Sequence, residues 1–462
     1  MPPLAGSDPL PVAVAAKRGA LEGLVVAAQR RVADGVYDNA PEGRKHGSFV
    51  AAVTARSPGI IAELKPRSPS EGPLLRMDAM AYADEVVAGG ADALSILTDA
   101  DYFGGSLSNL AQASRLAPCL MKDFIVAEPQ LDAAERAGAA AVLLIERILG
   151  PERRAELLRA AQDRGLEVLL EVHGAREATS VQGCRADLVG VNARDLNTFR
   201  VDRAGADVAL RTLAREGPVA LLSGVRDRRD VQEATAAGAQ AVLVGTTLLR
   251  SRLPRLAARS LRRPLAKVCG LRTVADVEVA RGADLVGFVL SDRSPRAAAS
   301  EELPRLVAAA RAAGLATVLV SDLDDTPRIL QAARSATPDI VQLHHAAASA
   351  RGALQEAGFA VFLAVEPDQA LPEGVDGFVF DSIAAGGSGR THDWTATRAR
   401  LEGLRGTLSL VAGGLDAKNA ADALAASGAS GADASSRLET APGRKDEAAV
   451  RAFIAAVQGA SA

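Results

Sequence analysis

The sequence predicts an α/β protein built as two tandem (β/α)8 barrels. Short apolar runs of Val, Leu and Ile alternate with stretches rich in Ala, Arg and Glu, and many stretches end at Gly or Gly-Ala, as in "VVAGGADALSILT" (86–98). Gly after such a stretch is the usual end of a helix. Continuous apolar runs are typical of strands buried on both faces. Strands that alternate with helices indicate a parallel sheet.

The number of apolar runs favours barrels over an open sheet. The first half of the chain has eight, at residues 60–64, 93–97, 119–121, 141–145, 167–172, 188–191, 218–222 and 241–244. The second half has eight again, at residues 265–269, 284–290, 316–320, 339–343, 360–365, 377–381, 408–412 and 431–434. Eight βα units in about 200–250 residues have the size of one barrel. An open doubly wound sheet is the alternative, but no Gly-x-Gly-x-x-Gly follows the first strand.

The composition argues against two classes of partner. The 462 residues carry a net charge of −3 and only 3% aromatic residues, so no basic field and no stacking platform for nucleic acid is expected. No apolar run approaches the roughly 20 residues of a membrane-spanning helix. We therefore expect neither nucleic acid nor membrane as a partner.

The cysteines and the N-terminus predict a cytoplasmic protein. Cys119, Cys184 and Cys269 are far apart and odd in number, which favours a reducing compartment, and they have no metal-ligand spacing, so no metal is expected. The start, "MPPLAGSDPLPVAVAAKRG", has no basic segment ahead of a long apolar core and is not typical of a signal peptide.

An arginine-rich stretch, "RSRLPRLAARSLRRPLAKVCG" (250–270), separates the two sets of runs. It has two prolines and no acidic residue. A solvated linker helix is the favoured interpretation, and an anion-binding segment is the alternative.

Polar residues at the predicted strand ends point to an active site in the first barrel, because barrel enzymes react at the carboxyl ends of their strands. Two carboxylates and two amines at one mouth permit general acid and base catalysis, and Gly and hydroxyl residues after strands 7 and 8 suit a phosphate. Ordinary ion pairs are the alternative for any one of them. These residues are Glu63, Lys65, Ser68, Lys122, Glu171, Asn192, Arg194, Ser223, Gly224, Gly245 and Thr246.

Five motifs of the first half together resemble indole-3-glycerol phosphate synthase, over residues 20–250. They are "IIAELKPRSPSEG", "ALSILTDADYFGGSLSNL", "CLMKDFIVAEPQL", "LLEVHGAREA" and "VGVNARDLNTFRVD". The resemblance implies closure of the indole pyrrole ring from a carboxyphenylamino-deoxyribulose phosphate, with loss of water and CO2 and without a cofactor.

The same resemblance implies roles for individual residues. Lys122 would be the general acid, Glu171 the general base, and Glu63 would assist them, with Lys65 anchoring the phosphate or the substrate carboxylate. The substrate would also contact Ser68, Asn192 and Arg194, the aromatic pocket residues Phe103 and Phe124, and the phosphate-binding Ser223, Gly224, Gly245 and Thr246. The family usually has Glu-Ser-Gly after strand 7, whereas this chain has Leu222 at the Glu position.

The second barrel has its own polar strand ends. Cys269 ends the first strand, where a thiol of lowered pKa could act as base or nucleophile, and Asp381 ends the sixth. A buried packing cysteine and a flexible glycine loop are the alternatives. Phosphate is expected on exposed amides and hydroxyls of three loops, at Gly387, Ser388, Gly389, Gly413, Gly414, Ser435 and Ser436.

The motifs "KVCGL", "GFVLSDRSPR", "VQLHH", "FDSIAAGGSGRTHDW", "LVAGGLDAKN" and "GADASSRLETAPGRKD" resemble phosphoribosylanthranilate isomerase, over residues 265–450. The resemblance implies an Amadori rearrangement with Cys269 as general base at the substrate C2, Asp381 as general acid on the furanose ring oxygen, and Arg296 at the anthranilate part. This chain departs from the family at His345, at Ala297–Ala299 and at Arg437.

Together the resemblances imply consecutive steps of tryptophan biosynthesis. We expect a synthase barrel with an N-terminal helical extension at residues 1–257 and an isomerase barrel at 264–462. The expected partners are small phosphorylated anthranilate derivatives. We expect no cofactor, and we expect the protein to be a monomer. In one alternative, one of the two barrels is an inactive binding scaffold, and Leu222 makes the first barrel the candidate. In another alternative, the second barrel isomerises a different sugar phosphate.

Overall fold

The computed structural model describes residues 20–69, 71–194, 201–344, 348–366, 369, 371–381 and 393–460. The chain divides into two compact units, residues 1–225 with 230–250 and residues 226–229 with 251–462. Each unit contains one closed barrel of eight parallel strands, as the apolar runs predict.

The first barrel closes when its first strand pairs with its last, Gly59 lying opposite Ala241. All six residues of the first strand are buried, because the sheet packs on helices outside and on side chains inside. A small antiparallel hairpin, β2 (Arg67–Ser68) and β3 (Gly72–Pro73), follows it. The barrel strands are β1 (Gly59–Leu64), β4 (Ala93–Leu97), β5 (Cys119–Lys122), β6 (Ala141–Ile145), β7 (Glu167–Val172), β8 (Leu188–Asn192), β9 (Val219–Leu222) and β10 (Ala241–Val244).

Five helices of the described part of this barrel begin at a side-chain cap. Asp78, for example, accepts hydrogen bonds from the backbone N–H groups of Met80 and Ala81. The helices of this part are α1 (Ala20–Ala33), α2 (Phe49–Thr54), α3 (Ala79–Ala88), α4 (Ala100–Phe103), α5 (Leu107–Ala113), α6 (Glu128–Arg136), α7 (Glu146–Asp163, non-helical at Gly150), α8 (Gly174–Ser180), α9 (Arg203–Leu213), α10 (Arg228–Ala236) and α11 (Thr246–Arg250).

The second barrel closes between its first strand and its last, with Leu265 opposite Gly431. Its strands are β11 (Leu265–Cys269), β12 (Leu285–Leu290), β13 (Ala316–Ser321), β14 (Ile340–Leu343), β15 (Ala360–Val365), β16 (Gly377–Phe380), β17 (Leu408–Val411) and β18 (Gly431–Ala434), followed by the hairpin β19 (Glu439–Ala441) and β20 (Arg444–Lys445). Its helices are α13 (Val274–Val279), α14 (Leu303–Ala312), α15 (Thr326–Ala336), α16 (Ala348–Glu356), α17 (Trp394–Leu401), α18 (Ala420–Ser427) and α19 (Glu447–Gln458).

The arginine-rich stretch contains a helix, α12 (Pro254–Arg262), with Pro254 in its first turn. The carboxylate of Asp284, at the start of β12, pairs with Arg259 at 3.1 Å and with Arg263 at 2.7 Å. Leu256 packs in the same core as Leu265. These contacts favour a structural helix over an anion-binding segment. No helix of the described part of the chain is long and apolar enough to cross a membrane.

Candidate active sites

The carboxyl end of β1 brings an acid and an amine together in the first barrel. Lys65 Nζ lies 2.8 Å from Glu63 Oε1, and the Glu63 side chain is almost fully buried. Burial opposes ionisation of Glu63, but the positive charges of Lys65 and Lys122 outweigh it and lower the pKa of Glu63. Gly245 backs this carboxylate, since a Cβ there would stand 2.7 Å from Glu63 Oε1.

Lys122 and Glu171 converge on the same mouth from β5 and β7. Lys122 Nζ lies 3.9 Å from Glu171 Oε2, whose side chain is 2% exposed. Asn192, at the end of β8, donates a hydrogen bond from Nδ2 to Glu171 Oε1 at 3.1 Å. A buried carboxylate beside a less buried amine suits a proton-transfer pair.

A histidine behind Glu171 was not singled out from the sequence. His173 Nε2 lies 3.5 Å from Glu171 Oε1, and its Nδ1 lies 3.4 Å from Glu177 Oε2. Arg147 Nε in turn donates to Glu177 at 2.6 Å. Burial raises the pKa of Glu177, but hydrogen bonds from His173 and Arg147 outweigh burial and lower it. His173 stands two residues after Glu171, on the same strand face, which was the signal available in "LLEVHG".

The turn after β9 is held by side chains of the mouth. Ser223 has φ +76° and Gly224 has φ +81°, a region that non-glycine residues rarely adopt. Ser223 Oγ donates to Asn192 Oδ1 at 2.7 Å, and Arg194 N donates to Asn192 Oδ1 at 3.0 Å and to Ser223 Oγ at 3.1 Å. Three of the predicted substrate or phosphate residues thus form one hydrogen-bonded group.

Leu222 fills the barrel interior just below this turn. It is 2% exposed and belongs to the apolar core that contains Leu169 and Leu243. A Cβ on Gly190 would stand 2.5 Å from Leu222 Cδ1, so the missing side chain of Gly190 provides the space for Leu222. The position where a Glu was expected is therefore an apolar packing position in this chain.

Two aromatic rings line the mouth beside Lys122. The Phe103 and Phe124 rings are 6.2 Å apart between centroids and tilted by 32°. The segments that carry them are tied to α1 by Arg31, which pairs with Asp99, the N-cap of α4, at 2.7 Å and with Asp123 at 3.1 Å. This buried Arg31 network was not predicted from the sequence.

Two further predicted residues lie at the rim. Ser68 is in β2, in the hairpin that follows the first strand. Thr246 begins α11, and its Oγ1 lies 3.5 Å from Glu71 Oε2.

In the second barrel, a buried lysine accompanies Cys269 on β11. Lys267 Nζ donates to Asp433 Oδ2 at 2.6 Å and to Gln342 Oε1 at 2.9 Å, and Lys267 is fully buried. Burial lowers the pKa of Lys267, but the Asp433 carboxylate outweighs burial and raises it. Burial raises the pKa of the Cys269 thiol, against the opposing charge of Lys267. The sequence signal was the spacing of Lys267 and Cys269, which places both inside the barrel.

Asp381 directly follows β16 and is partly exposed at the same end of the barrel. Its backbone N–H donates to Val365 O at 3.0 Å. Burial lowers the pKa of Lys267, and the charge of Asp381 adds to the larger effects of Asp433 and Cys269 that together raise it. Cys269, the last residue of β11, and Asp381 therefore stand at the same end of the barrel.

Arg296 and the hairpin β19–β20 form a further cluster. Arg296 Nε lies 3.0 Å from Glu439 Oε1, and Lys445 Nζ donates to the same Glu439 oxygen at 2.8 Å. Ser435 lies in the predicted phosphate loop. Its backbone oxygen accepts a hydrogen bond from Lys445 Nζ, and its Oγ donates a hydrogen bond to Cys269 O at 2.9 Å. Glu439 and Lys445 stand in "GADASSRLETAPGRKD", but nothing local in the sequence indicated their partners.

The predicted phosphate loops of this barrel are described in part. Gly413 and Gly414 both have positive φ, at +87° and +62°, at the turn after β17. Arg437 Nη1 lies 3.3 Å from Asp416 Oδ2, across the turns after β17 and β18. Ser436 begins the 3-10 turn Ser436–Leu438. Gly387, Ser388, Gly389 and the departing residue His345 lie outside the described residues.

Within the described ranges, no group of three or more His, Cys, Asp or Glu side chains is arranged to bind a metal ion.

Two family models match the chain in tandem. The model for indole-3-glycerol phosphate synthase matches residues 15–261, and the model for N-(5'-phosphoribosyl)anthranilate isomerase matches residues 266–456. Similar proteins include indole-3-glycerol phosphate synthase 2 of Streptomyces coelicolor, 43% identical over 211 residues, covering 44% of this chain and 80% of that protein. Tryptophan biosynthesis protein TRP1 of Phytophthora nicotianae is 32% identical over 460 residues, covering 80% of this chain and 85% of that protein.

Solved structures are also similar to part of this chain. The phosphoribosyl anthranilate isomerase of Thermotoga maritima is 25% identical, with a TM-score of 0.37, covering 42% of this chain and 99% of that chain.

Proposed function

Because this chain belongs to the indole-3-glycerol phosphate synthase family in its first half and to the phosphoribosylanthranilate isomerase family in its second, we propose which residues perform each reaction. The chain is a bifunctional enzyme of tryptophan biosynthesis, a lyase and an isomerase that catalyse two consecutive steps. Nothing in the comparisons supports an inactive scaffold barrel. We assign the synthase to residues 1–257 and the isomerase to 264–462.

In the isomerase step, Asp381 protonates the furanose ring oxygen of the substrate, and the C–O bond opens to an imine. Cys269, as thiolate, then removes the proton from C2, and the resulting enolamine becomes the ketone of the product. The buried ammonium of Lys267 supports this assignment, because a positive charge on the same strand favours the thiolate over the thiol. Arg296 binds the anthranilate carboxylate.

In the synthase step, Lys122 acts as general acid on the C2 carbonyl oxygen while the anthranilate ring carbon attacks C2. CO2 leaves from the ring, and Glu171 then removes the proton whose loss accompanies release of water. Lys65 holds an anionic group of the substrate and keeps Glu63 ionised at 2.8 Å. Phe103 and Phe124 provide the aromatic wall. Asn192 and Arg194 also contact the substrate, with Ser68 at the rim.

We propose that this mouth works without a carboxylate after β9. Leu222 supplies packing only, and among the described residues Glu63 and Glu171 are the acidic groups that we assign to the chemistry. Asn192 links Glu171 to Ser223, so that the general base is oriented by an amide bridge in this chain.

Phosphate binds in the first barrel at the loops after the last two strands, and in the second barrel at those two loops and at the loop after the sixth strand, β16. In the first barrel these residues are Ser223, Gly224, Gly245 and Thr246; in the second they are Gly387, Ser388, Gly389, Gly413, Gly414, Ser435 and Ser436. The substrates are phosphorylated anthranilate derivatives, and no cofactor takes part. We also propose a cytoplasmic monomer that does not bind nucleic acid, supported by three unpaired cysteines and the small net charge.

The observation that carries the proposal is the distance between Lys122 Nζ and Glu171 Oε2. These atoms lie 3.9 Å apart, although the two residues are 49 positions apart in the sequence (171 − 122). Lys122→Met in the full chain is expected to lower synthase kcat by at least about a hundredfold, with the isomerase unchanged. Cys269→Ser is expected to do the reverse. Loss of both activities in either variant, with the chain still folded, would contradict two independent sites.

A further inference from the structure

Glu439 and Lys445 lie at the mouth of the second barrel, on the β19–β20 hairpin. With Arg296 and Ser435 they form what we call the Glu439 cluster. Arg296 Nε lies 3.0 Å and 3.1 Å from the two Glu439 oxygens, and Arg296 Nη2 donates to Oε2 at 3.0 Å. Lys445 Nζ donates to Glu439 Oε1 at 2.8 Å and to Ser435 O at 3.2 Å.

Two side chains of the Glu439 cluster are almost fully buried. The side chains of Glu439 and Lys445 are 2% and 1% exposed, whereas that of Arg296 keeps 17% exposure. A buried carboxylate requires charged partners, and Glu439 has two of them. Arg296, which is more exposed than Glu439 and Lys445, is therefore held by Glu439, and Lys445 holds Glu439 in turn.

The orientation of Arg296 leaves one edge of its guanidinium for a ligand. The bonds to Glu439 use the Nε and Nη2 donors, and no described residue bonds to the Nη1 donors. A guanidinium has five N–H donors in a planar fork, so a carboxylate on one edge leaves the opposite edge able to bind a second carboxylate.

The cluster adjoins the base. Ser435 Oγ donates to Cys269 O at 2.9 Å. The next residue, Gly270, has φ +80°, and a Cβ there would stand 2.9 Å from Ser435 Oγ and 3.0 Å from Arg296 Cδ. The strand end that carries the thiol is thus hydrogen-bonded to Ser435, and the missing side chain of Gly270 leaves room for Arg296 beside it.

We propose that Glu439 is a positioning residue of the isomerase: it holds Arg296 so that the free edge faces the anthranilate carboxylate, while Lys445 balances its charge and joins it to the phosphate-binding Ser435. This inference rests on the proposed role of Arg296 in substrate binding. Glu439 itself does not touch the substrate. Its loss affects binding through Arg296 and leaves the proton transfers of Cys269 and Asp381 in place.

Glu439→Gln in the full chain is expected to raise the isomerase KM about tenfold and to change kcat by less than about threefold. Synthase activity of the same sample is the folding reference. Glu278→Gln is the matched control, because Glu278 pairs with Arg281 on the exposed surface of the same barrel and should leave KM unchanged.

A double-mutant cycle with Arg296→Lys tests whether the effect passes through Arg296. If it does, the R296K/E439Q chain has about the KM of R296K alone, because the two changes remove one interaction. Additive effects, or an E439Q effect on kcat alone, would overturn the proposal while leaving Arg296 as a binding residue. An unchanged KM in R296K would overturn both the proposal and the assigned role of Arg296.

E439Q leaves the cations of Arg296 and Lys445 without their shared carboxylate, which lowers the stability of the folded barrel. The double variant E439Q/K445M removes one of the two cations as well. The charge-balanced variant still lacks the carboxylate beside Arg296 and is expected to keep the raised KM. Recovery of the original KM in that variant would refute positioning by Glu439.

Discussion

Replacing Leu222 with Ala tests whether this position packs the core of the first barrel. The side chain is 2% exposed and removal of three carbon atoms, at about 0.8 kcal/mol each, costs about 2.4 kcal/mol of unfolding free energy. Gly190 beneath it has no side chain that could move into the space. The cavity therefore persists, and the total loss is expected to be about 3–5 kcal/mol.

The assay is urea unfolding of the full chain followed through synthase activity after brief dilution, with isomerase activity as a second probe. Val208→Ala is the control, because Val208 is 51% exposed on α9 and should change the unfolding free energy by at most about 0.5 kcal/mol. Synthase kcat of folded L222A should stay within about threefold of the original. A loss below about 1 kcal/mol together with a tenfold lower kcat would refute packing and place Leu222 at the substrate.

Three further predictions concern charged groups. Lys267→Met removes the cation that opposes the raised pKa of Cys269, so the rise of isomerase kcat/KM with pH should move to higher pH. The pKa of Glu63 is lowered in the folded protein, so the ionised carboxylate stabilises the fold at pH values above its unfolded pKa of about 4.3. This stabilisation is lost as the pH falls through the folded pKa. The difference in unfolding free energy between the original chain and Glu63→Gln, measured by urea unfolding, should therefore shrink between pH 6 and pH 3.5. His173→Gln should lower synthase kcat about tenfold, because His173 Nε2 contacts Glu171 Oε1 at 3.5 Å and loss of the ring lets the general base move from its productive position.

In each activity measurement the reaction of the other barrel is the internal control, because the chain performs two reactions. Equal loss of both activities would indicate misfolding. An unshifted pH profile in K267M, a pH-independent stability difference for E63Q, or unchanged synthase turnover in H173Q would each contradict the reasoning for that residue.

The strands could be predicted because their signal is local. A run such as residues 141–145 is continuously apolar, and the structure places β6 at Ala141–Ile145. Eight such runs, twice over, predicted two barrels, and both close as expected. Barrel topology then brings every strand's carboxyl end to one mouth, which is why Lys122 and Glu171 could be predicted to meet before any coordinates were known.

The supporting contacts could not be predicted in this way. Glu439 meets Arg296 across 143 residues, and Arg31 meets Asp123 across 92, so their partners depend on how loops return to the mouth. Leu222 differs from the expected Glu in the sequence, but only packing against Gly190 and Leu169 shows an apolar site there.

The sequence by itself determined the two barrels, their strand ends and the polar residues carried there, because hydrophobic period and strand order are properties of neighbouring residues. The tertiary structure decided which charges pair. A buried charge is stabilised by a partner within a few ångströms, and closure of the barrel selects the partner from distant parts of the chain. Lys267 paired with Asp433, and Arg296 held by Glu439, are both products of that closure.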